Sequence, residues 1–350
     1  MSNNKCDILY ISDTFDYGKS VSGNYIIYKV LSETKFNIKV LPLFKSTNQK
    51  IDDSHFLPKG LDLNNLPEHD ILLVSGDDLH PSVLELICKK HNSTLVCVTM
   101  THWMYGNTSP YPELDNDFEG NNVDNRLKLY NSVKSYMITT STHSSNVHKM
   151  SKFSNIPFEQ IPFPFEEIDS NSDFEKPHNN KKIILWGTTQ PQSKRKGKDY
   201  FENTLKWLYE LVDNPNDILI QTIGPKSVID TKFEVEHLGR IPNRMELSNV
   251  YKTADVFALT TLADAGPMMA TECIRNGTPL VSYSTNISYD YIDGGKNGYI
   301  VEGSEEFAEK LYEILFNNNF HMDLEYVKKF NSQNVVQKKY EQFFNKLLNN

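Results

Sequence analysis

Two carboxylates, Asp264 and Glu272, stand with seven residues between them in the string D-A-G-P-M-M-A-T-E-C-I-R-N-G-T-P. Upstream, Gln190-Pro191-Gln192-Ser193-Lys194-Arg195-Lys196-Gly197 sets three cations in a row before a helical segment. Carboxylates accept hydrogen bonds from hydroxyl groups, a guanidinium binds a phosphate bidentately, and an ammonium acts on it as a point charge. In combination these groups suit a ligand that carries hydroxyls on either side of a diphosphate.

The elements that must position them follow from the apolar pattern. Residues 255–259 and 279–283 are short apolar runs with β-branched and aromatic members, the pattern of buried parallel strands. Between them residues 268–275 have helical composition, preceded by Gly266-Pro267 and followed by Asn276-Gly277, a helix stop. The loop of such a unit lies at the carboxyl end of its strand, where open α/β sheets bind ligands, and the helix amino terminus offers free N–H groups to an anion. Asp264 falls on that loop and Glu272 about one turn into the helix. Spacing alone leaves another reading open, because an acidic residue before a helix is often its N-cap and a Glu in the first turns often serves the helix dipole. The cationic string equally fits a solvated basic loop.

The longer string changes the balance. Residues 251–283 resemble the donor-site signature of retaining GT-B glycosyltransferases of family four: an A-D-V-F strand, Glu, seven residues, Glu, and then G-T-P. Asp264 stands where that family usually has its first Glu, and Glu272 matches the second. Arg195-Lys196-Gly197 resembles the family's phosphate loop, with Thr188 where many members have Arg. The resemblance implies a nucleoside diphosphate sugar, UDP- or GDP-linked, as substrate. Asp264 would contact the transferred sugar and Glu272 the ribose; Gly266, Met268 and Met269 would bring backbone to sugar and phosphates; Arg195 and Lys196 would neutralise the diphosphate. Residues 237–242, with Ile241, resemble the turn that reads the base, and residues 294–301 resemble the hairpin after the donor loop; both also fit ordinary turn chemistry.

Length and composition fit such a protein. The 350 residues suit two domains, and 39% hydrophobic with 23% charged residues is ordinary for a globular chain. A net charge of −9 argues against a broad nucleic-acid surface, which needs a dense Lys/Arg face. Cys6, Cys88, Cys97 and Cys273 have no C-x-x-C spacing and read as free thiols. The polar start and the lack of a long apolar run lead to the expectation of a cytoplasmic protein, with peripheral membrane contact compatible with a lipid-linked acceptor.

Apolar runs at residues 8–11, 38–43, 71–75, 94–99 and 136–140 alternate with helical segments at 25–31, 82–90 and 125–133. The pattern restarts at 182–186, with a helix at 200–212 and a strand at 218–223. The expected fold class is α/β of GT-B type, two facing Rossmann-like domains with a cleft between them. Residues 1–165 form the acceptor-side domain, 166–180 the linker and 181–325 the donor domain; the helix at 326–350 packs back on the first domain, as the resemblance implies.

The first domain carries weaker signals. His102, in Met100-Thr101-His102-Trp103, follows a strand and resembles an H-D-M-W-type loop in which a histidine contacts the donor sugar. A histidine beside aromatic residues is also commonly a packed one. Gly23 lies in Ser20-Val21-Ser22-Gly23-Asn24 just before the first helix, where the lack of a side chain lets the helix start approach a ligand. Asp77-Asp78 are adjacent, and Asp115-Asn116-Asp117 lies in a polar loop; no metal site and no cofactor are assigned. The expected reaction is retaining transfer of a sugar to an acceptor hydroxyl, the acceptor and oligomeric state being unassigned. A GT-B epimerase, a sugar phosphorylase and a silent sugar-nucleotide-binding subunit are the alternatives. A dehydrogenase is disfavoured, because no G-x-G-x-x-G follows the first strand of either half.

Overall fold

The structure is a computed structural model that describes residues 5–12, 23–42, 44–52, 55–59, 62–75, 79–99, 123–164, 181–264, 266–285, 287–317, 320–329 and 332–349. It divides into two compact units. One comprises Met1–Pro164 with Gln333–Asn350, and the other Phe165–Ser332.

In the first unit the elements run β1 (Cys6–Ser12), α1 (Gly23–Ser32), β2 (Ile38–Pro42), β3 (Phe44–Asp52), β4 (His55–Lys59), β5 (His69–Ser75), α2 (Pro81–His91), β6 (Thr94–Thr99), α3 (Val123–Ser132), β7 (Ser135–Thr139), α4 (Thr142–Met150) and β8 (Phe158–Gln160). Six of the strands form one sheet in the order β2-β1-β5-β6-β7-β8, every neighbouring pair parallel. The pleat sends Leu9, Ile11, Leu72, Val74, Leu95 and Cys97 to one face, against Val83, Leu84 and Ile87 of α2. Ile8, Tyr10, Ile71, Leu73, Val96 and Val98 go to the other. Burial on both faces is why these strands read as continuous apolar runs.

The second face is closed by the end of the chain. The last helix, Gln333–Leu348, here α11, places Val336, Tyr340, Phe343, Phe344 and Leu347 beside Ile27, Val30 and Leu31 of α1. Those five positions follow the helical repeat and make one apolar stripe.

The second unit runs β9 (Lys182–Gly187), a 3-10 turn (Lys194–Lys196), α5 (Lys198–Leu211), β10 (Ile218–Ile223), β11 (Glu234–Gly239), α6 (Arg244–Thr253), β12 (Val256–Leu259), α7 (Met268–Arg275), β13 (Leu280–Tyr283), α8 (Ser288–Tyr291), β14 (Gly298–Val301), α9 (Ser304–Phe316) and α10 (Leu324–Lys329). Its parallel sheet has the order β11-β10-β9-β12-β13-β14. Helices α5 and α9 cover one face through Phe201, Leu205, Leu208, Phe307 and Leu311. The opposite face is covered by α6, α7 and α8 through Tyr251, Ala270, Cys273, Ile274 and Tyr291. Each unit is thus a Rossmann-like, doubly wound sheet.

The antiparallel hairpin β3–β4 and the three-residue β8 have no counterpart in the sequence expectations. The expected linker, residues 166–180, lies outside the described residues, as do His102, Asp77, Asp78, Asp115 and Asp117. All four cysteines are buried thiols outside any disulfide. Among the described residues no helix is long and apolar enough to cross a membrane.

Candidate functional site

In the second unit the chain runs from β9 to β10 on one side of the sheet and through β12 on the other, so the strand order reverses between β9 and β12. A doubly wound sheet opens its ligand crevice there, beyond the carboxyl ends of the strands. The loop leaving β9 carries Arg195 and Lys196, and the loop leaving β12 carries Asp264.

Backbone and side chains stitch these two loops together. Leu262 N–H donates to the Arg195 carbonyl at 2.8 Å. Thr260 Oγ1 accepts from the indole of Trp186 at 2.9 Å and donates to the Lys196 carbonyl at 3.1 Å. Trp186, at the end of β9, is held by stacking on Phe201, with ring centroids 5.5 Å apart. Gly197, with φ of +69°, makes the close approach possible: a Cβ there would overlap the Thr260 carbonyl oxygen and lie 2.9 Å from its carbon.

The ion groups complete the seam. Lys196 Nζ and Arg195 Nη1 both reach Asp264 Oδ2, the latter at 3.4 Å, and Arg195 Nη1 also donates to the Ala263 carbonyl at 3.3 Å. Arg195 Nη2 donates to Gln190 Oε1, while Gln190 N–H donates to Thr188 Oγ1 at 3.0 Å. The three charged side chains are 11–17% exposed and sum to one positive charge. Two buried polar atoms of the same loop, Ser193 Oγ and Arg195 Nε, have no hydrogen-bond partner. Buried polar groups are normally paired, so these are two open positions beside the cations.

The remaining expected residues lie around this seam. The Gly266 N–H turns back on Asp264 Oδ1 at 3.3 Å. Met268 and Met269 are the first residues of α7, whose leading Pro267 has no N–H. Met269 also packs over Gly187, its Sδ 3.2 Å from where a Cβ would stand. Ile241 is half-buried between β11 and α6, in a loop tied to the end of β10 by a 3.0 Å bond from Gly224 N–H to the Gly239 carbonyl. Gly23 is the first residue of α1 in the other unit.

Glu272, on the second turn of α7, takes a hydrogen bond from the Tyr251 hydroxyl at 2.7 Å. Burial pushes its carboxyl up from the ordinary range, and the Tyr251 hydroxyl and the Arg244 charge partly offset this. Burial, and then the Glu272 charge, hold the Tyr251 phenol well above its usual range, so it remains a donor.

Residues 230–330, which contain Ile241, Asp264 and Glu272, match the family described as Glycosyl transferases group 1. The match lies wholly within the second unit. Solved structures of the same fold include OtsA in its apo state, at TM-score 0.68 and 12% identity over 97% of this chain and 99% of that one. HepE of Anabaena, in complex with UDP and glucose, superposes at TM-score 0.67 and 14% identity over 97% of this chain and 100% of HepE. The pneumococcal O-GlcNAc transferase GtfA, in complex with UDP and GlcNAc, gives TM-score 0.61 and 15% identity over 82% of this chain. The chain spans 58% of the length of that GtfA. No curated protein sequence matches at a significant level. Two Rossmann-like units and these likenesses give the chain the GT-B fold of those glycosyltransferases.

Sequence reasoning did not find Tyr251, Gln190, Thr260 or Ser193 as parts of this site. Tyr251 and Thr260 act through partners 21 and 64 or more positions away, a relation that no local pattern encodes.

Proposed function

We propose that the chain is a retaining glycosyltransferase that moves a sugar from a nucleoside diphosphate sugar, UDP- or GDP-linked, to an acceptor hydroxyl. The observation that carries this reading is the seam at the β9–β12 switch point, where two cations and a carboxylate are locked into one part-buried group beside the start of α7. In the reaction the bond from the anomeric carbon to the diphosphate oxygen breaks, and a bond to the acceptor oxygen forms. The acceptor proton leaves, and the nucleoside diphosphate is released.

Charge builds on the departing diphosphate while the sugar gains oxocarbenium character. Lys196 and Arg195 face that charge with the backbone N–H groups of Met268 and Met269, in a setting dry enough for the attraction to count. Ser193 Oγ and Arg195 Nε supply further hydrogen-bonding positions for phosphate oxygens. Asp264 accepts from hydroxyls of the transferred sugar and meanwhile holds both cations in place; Glu272 accepts from the ribose; the turn at Ile241 borders the base. His102 and Gly23 belong to the acceptor-side unit in this reading. Metal is not needed to balance the leaving group where two side-chain cations stand, and divalent-ion dependence is checked in the same assays.

A thermal-shift screen of UDP-, GDP- and ADP-sugars tests the donor site, since a ligand that binds the folded state raises the melting temperature. At least one is expected to shift it, with the shift lost in Lys196→Ala and Glu272→Ala. No shift with any of them refutes the donor site. Binding with no sugar transferred to acceptor or water, under any acceptor tried, supports the silent subunit instead.

A further inference from the structure

Glu272 is not a free arm. Its helix, α7, is joined to α6 by three side-chain bonds: Tyr251 Oη to Glu272 Oε2 at 2.7 Å, Thr278 Oγ1 to the Tyr251 carbonyl, and Ser248 Oγ to Asn276 Oδ1. Tyr251 is 2% exposed and Ser248 is fully buried, so the two side chains that α6 contributes to the seam are shielded from water. Thr278 belongs to the G-T-P string that follows α7, so the turn after one helix is pinned to the last turn of the other. Within the described residues Glu272 Oε1 makes no hydrogen bond, while Oε2 is held.

A glutamate on a helix has three side-chain torsions, and a ligand that must order it surrenders binding free energy to do so. Here the ordering is done by the fold. The phenol fixes one oxygen, burial in the α6–α7 seam fixes the ring, and the carboxylate is left with one oxygen uncommitted. Arg244, at the start of α6, adds an attraction that favours the charged carboxylate.

We propose that Tyr251 is a positioning residue of the donor site: its hydroxyl pre-orients Glu272 for the ribose hydroxyls, and so sets how strongly the site prefers a ribonucleotide to a deoxyribonucleotide. The inference rests on the reading of Glu272 as the ribose carboxylate. Buried groups built to pair with a ligand hydroxyl discriminate sharply against an analogue that lacks it, and they do so only while held in register. Tyr251 touches no part of the ligand in this scheme and acts only through Glu272. Because α6 follows directly on the turn at Ile241, the same seam also keeps the base-side turn in register with the ribose carboxylate.

The test measures dissociation constants of the full chain for UDP and 2′-deoxy-UDP by calorimetry, or for the guanosine pair if the thermal screen selects GDP-sugars. The wild type, Tyr251→Phe, Glu272→Gln and the double variant are compared. Tyr251→Phe is expected to weaken UDP binding by about tenfold, the scale of ordering one rotamer-rich side chain on binding. It should weaken 2′-deoxy-UDP, which keeps only the 3′-hydroxyl, by clearly less, so that the preference for ribose narrows. In the Glu272→Gln background the same change should add little, because a residue that acts through Glu272 has nothing left to act on. A second readout is the acid side of the UDP binding profile. Loss of the phenol removes a donor that favours the carboxylate, so binding in Tyr251→Phe should fail at a higher pH than in the wild type.

If Glu272→Gln abolishes the ribose preference and Tyr251→Phe keeps it, the inference is overturned and the ribose reading stands. If Glu272→Gln itself keeps the preference, the ribose reading falls first. Equal weakening of UDP by Tyr251→Phe in both backgrounds makes Tyr251 merely structural and also overturns the inference. Should Tyr251→Phe lose its cooperative melt, 3-fluorotyrosine placed at position 251 alone makes the test. Its more acidic hydroxyl is a better donor, and the acid limb of UDP binding should move to lower pH; an unmoved limb overturns the inference.

Discussion

Replacing Gly197 by alanine tests the seam of the site at its narrowest point. The residue sits at φ +69° between the cationic turn and α5, with its N–H on the Lys194 carbonyl and its own carbonyl accepting from Phe201 N–H, both at 3.0 Å. An L-residue held in the left-handed region costs about 1–2 kcal/mol. The added Cβ also overlaps the Thr260 carbonyl, which belongs to backbone and cannot swing aside, and overpacking of this kind costs about 1–3 kcal/mol. The sum is roughly 2–5 kcal/mol, which in a unit of this size lowers the melting temperature by roughly 10 °C. Gly277 is the internal control. Its φ is +83°, but a Cβ there meets nothing within 4 Å, so Gly277→Ala carries only the backbone cost and should lower the melt by roughly 4 °C. Calorimetry of the full chain, with UDP added to mark the unit that binds it, reads both shifts. Gly197→Ala should also weaken UDP, because moving the turn separates Lys196 and Arg195 from Asp264, whereas Gly277→Ala should spare it. Equal shifts in the two variants, or unchanged UDP binding in Gly197→Ala, would refute the idea that this close approach builds the site.

Three further outcomes are expected. Phe344→Ala, in the fully buried stripe of α11, should destabilise the first unit by about 3–5 kcal/mol, read by urea melts, and a loss under 1 kcal/mol would show that α11 does not seal that core. Asp264→Asn removes the counter-charge of Arg195 and Lys196, so UDP should bind several-fold tighter at low salt, and less so at high salt, while transfer falls; UDP binding that falls together with transfer speaks against the counter-charge role. His69, His91 and His148 of the first unit are all held below the ordinary histidine range by burial; hydrogen bonds to the Pro67 and Ile156 carbonyls oppose this at His69 and His148, and at His91 Lys90 adds to it while Glu68 opposes it. The unfolded chain therefore takes up protons that the folded unit refuses: stability present above about pH 6.5 is lost as pH falls through the folded values. Hydrogen exchange, corrected for its intrinsic pH dependence, should show β1, β5 and β6 losing protection from about pH 7 to 5; unchanged protection refutes the assignment.

Much of the fold was legible because both sheets are parallel and covered on two faces. Residues such as Leu72-Leu73-Val74 and Ile183-Ile184-Leu185 must then be apolar without alternation, and that signal survives in any single sequence. The hairpin β3–β4 was not legible, since Lys45-Ser46-Thr47-Asn48-Gln49-Lys50 is polar throughout and Pro58 stands in its second strand. At the site, the residue types of Asp264, Glu272, Arg195 and Lys196 were visible, but their pairing was not. Asp264 and Lys196 meet across 68 positions because β9 and β12 are neighbours in the sheet. Tyr251 opens the string 251–283 with nothing local to mark its role; only the packing of α6 on α7 gives its hydroxyl an address.

The first unit is completed by the segment that is synthesised after the whole of the second. Until α11 emerges from the ribosome, the sheet face bearing Tyr10, Leu73 and Val98 has α1 but lacks the rest of its cover, while the second unit is already continuous in the nascent chain. The order of maturation therefore runs opposite to the order of translation: the later half can fold first, and the earlier half waits for the tail. A ribosome that stalls or terminates within α11 releases a chain with an intact second unit and a first sheet left open on that face, so quality control bears on residues 333–348.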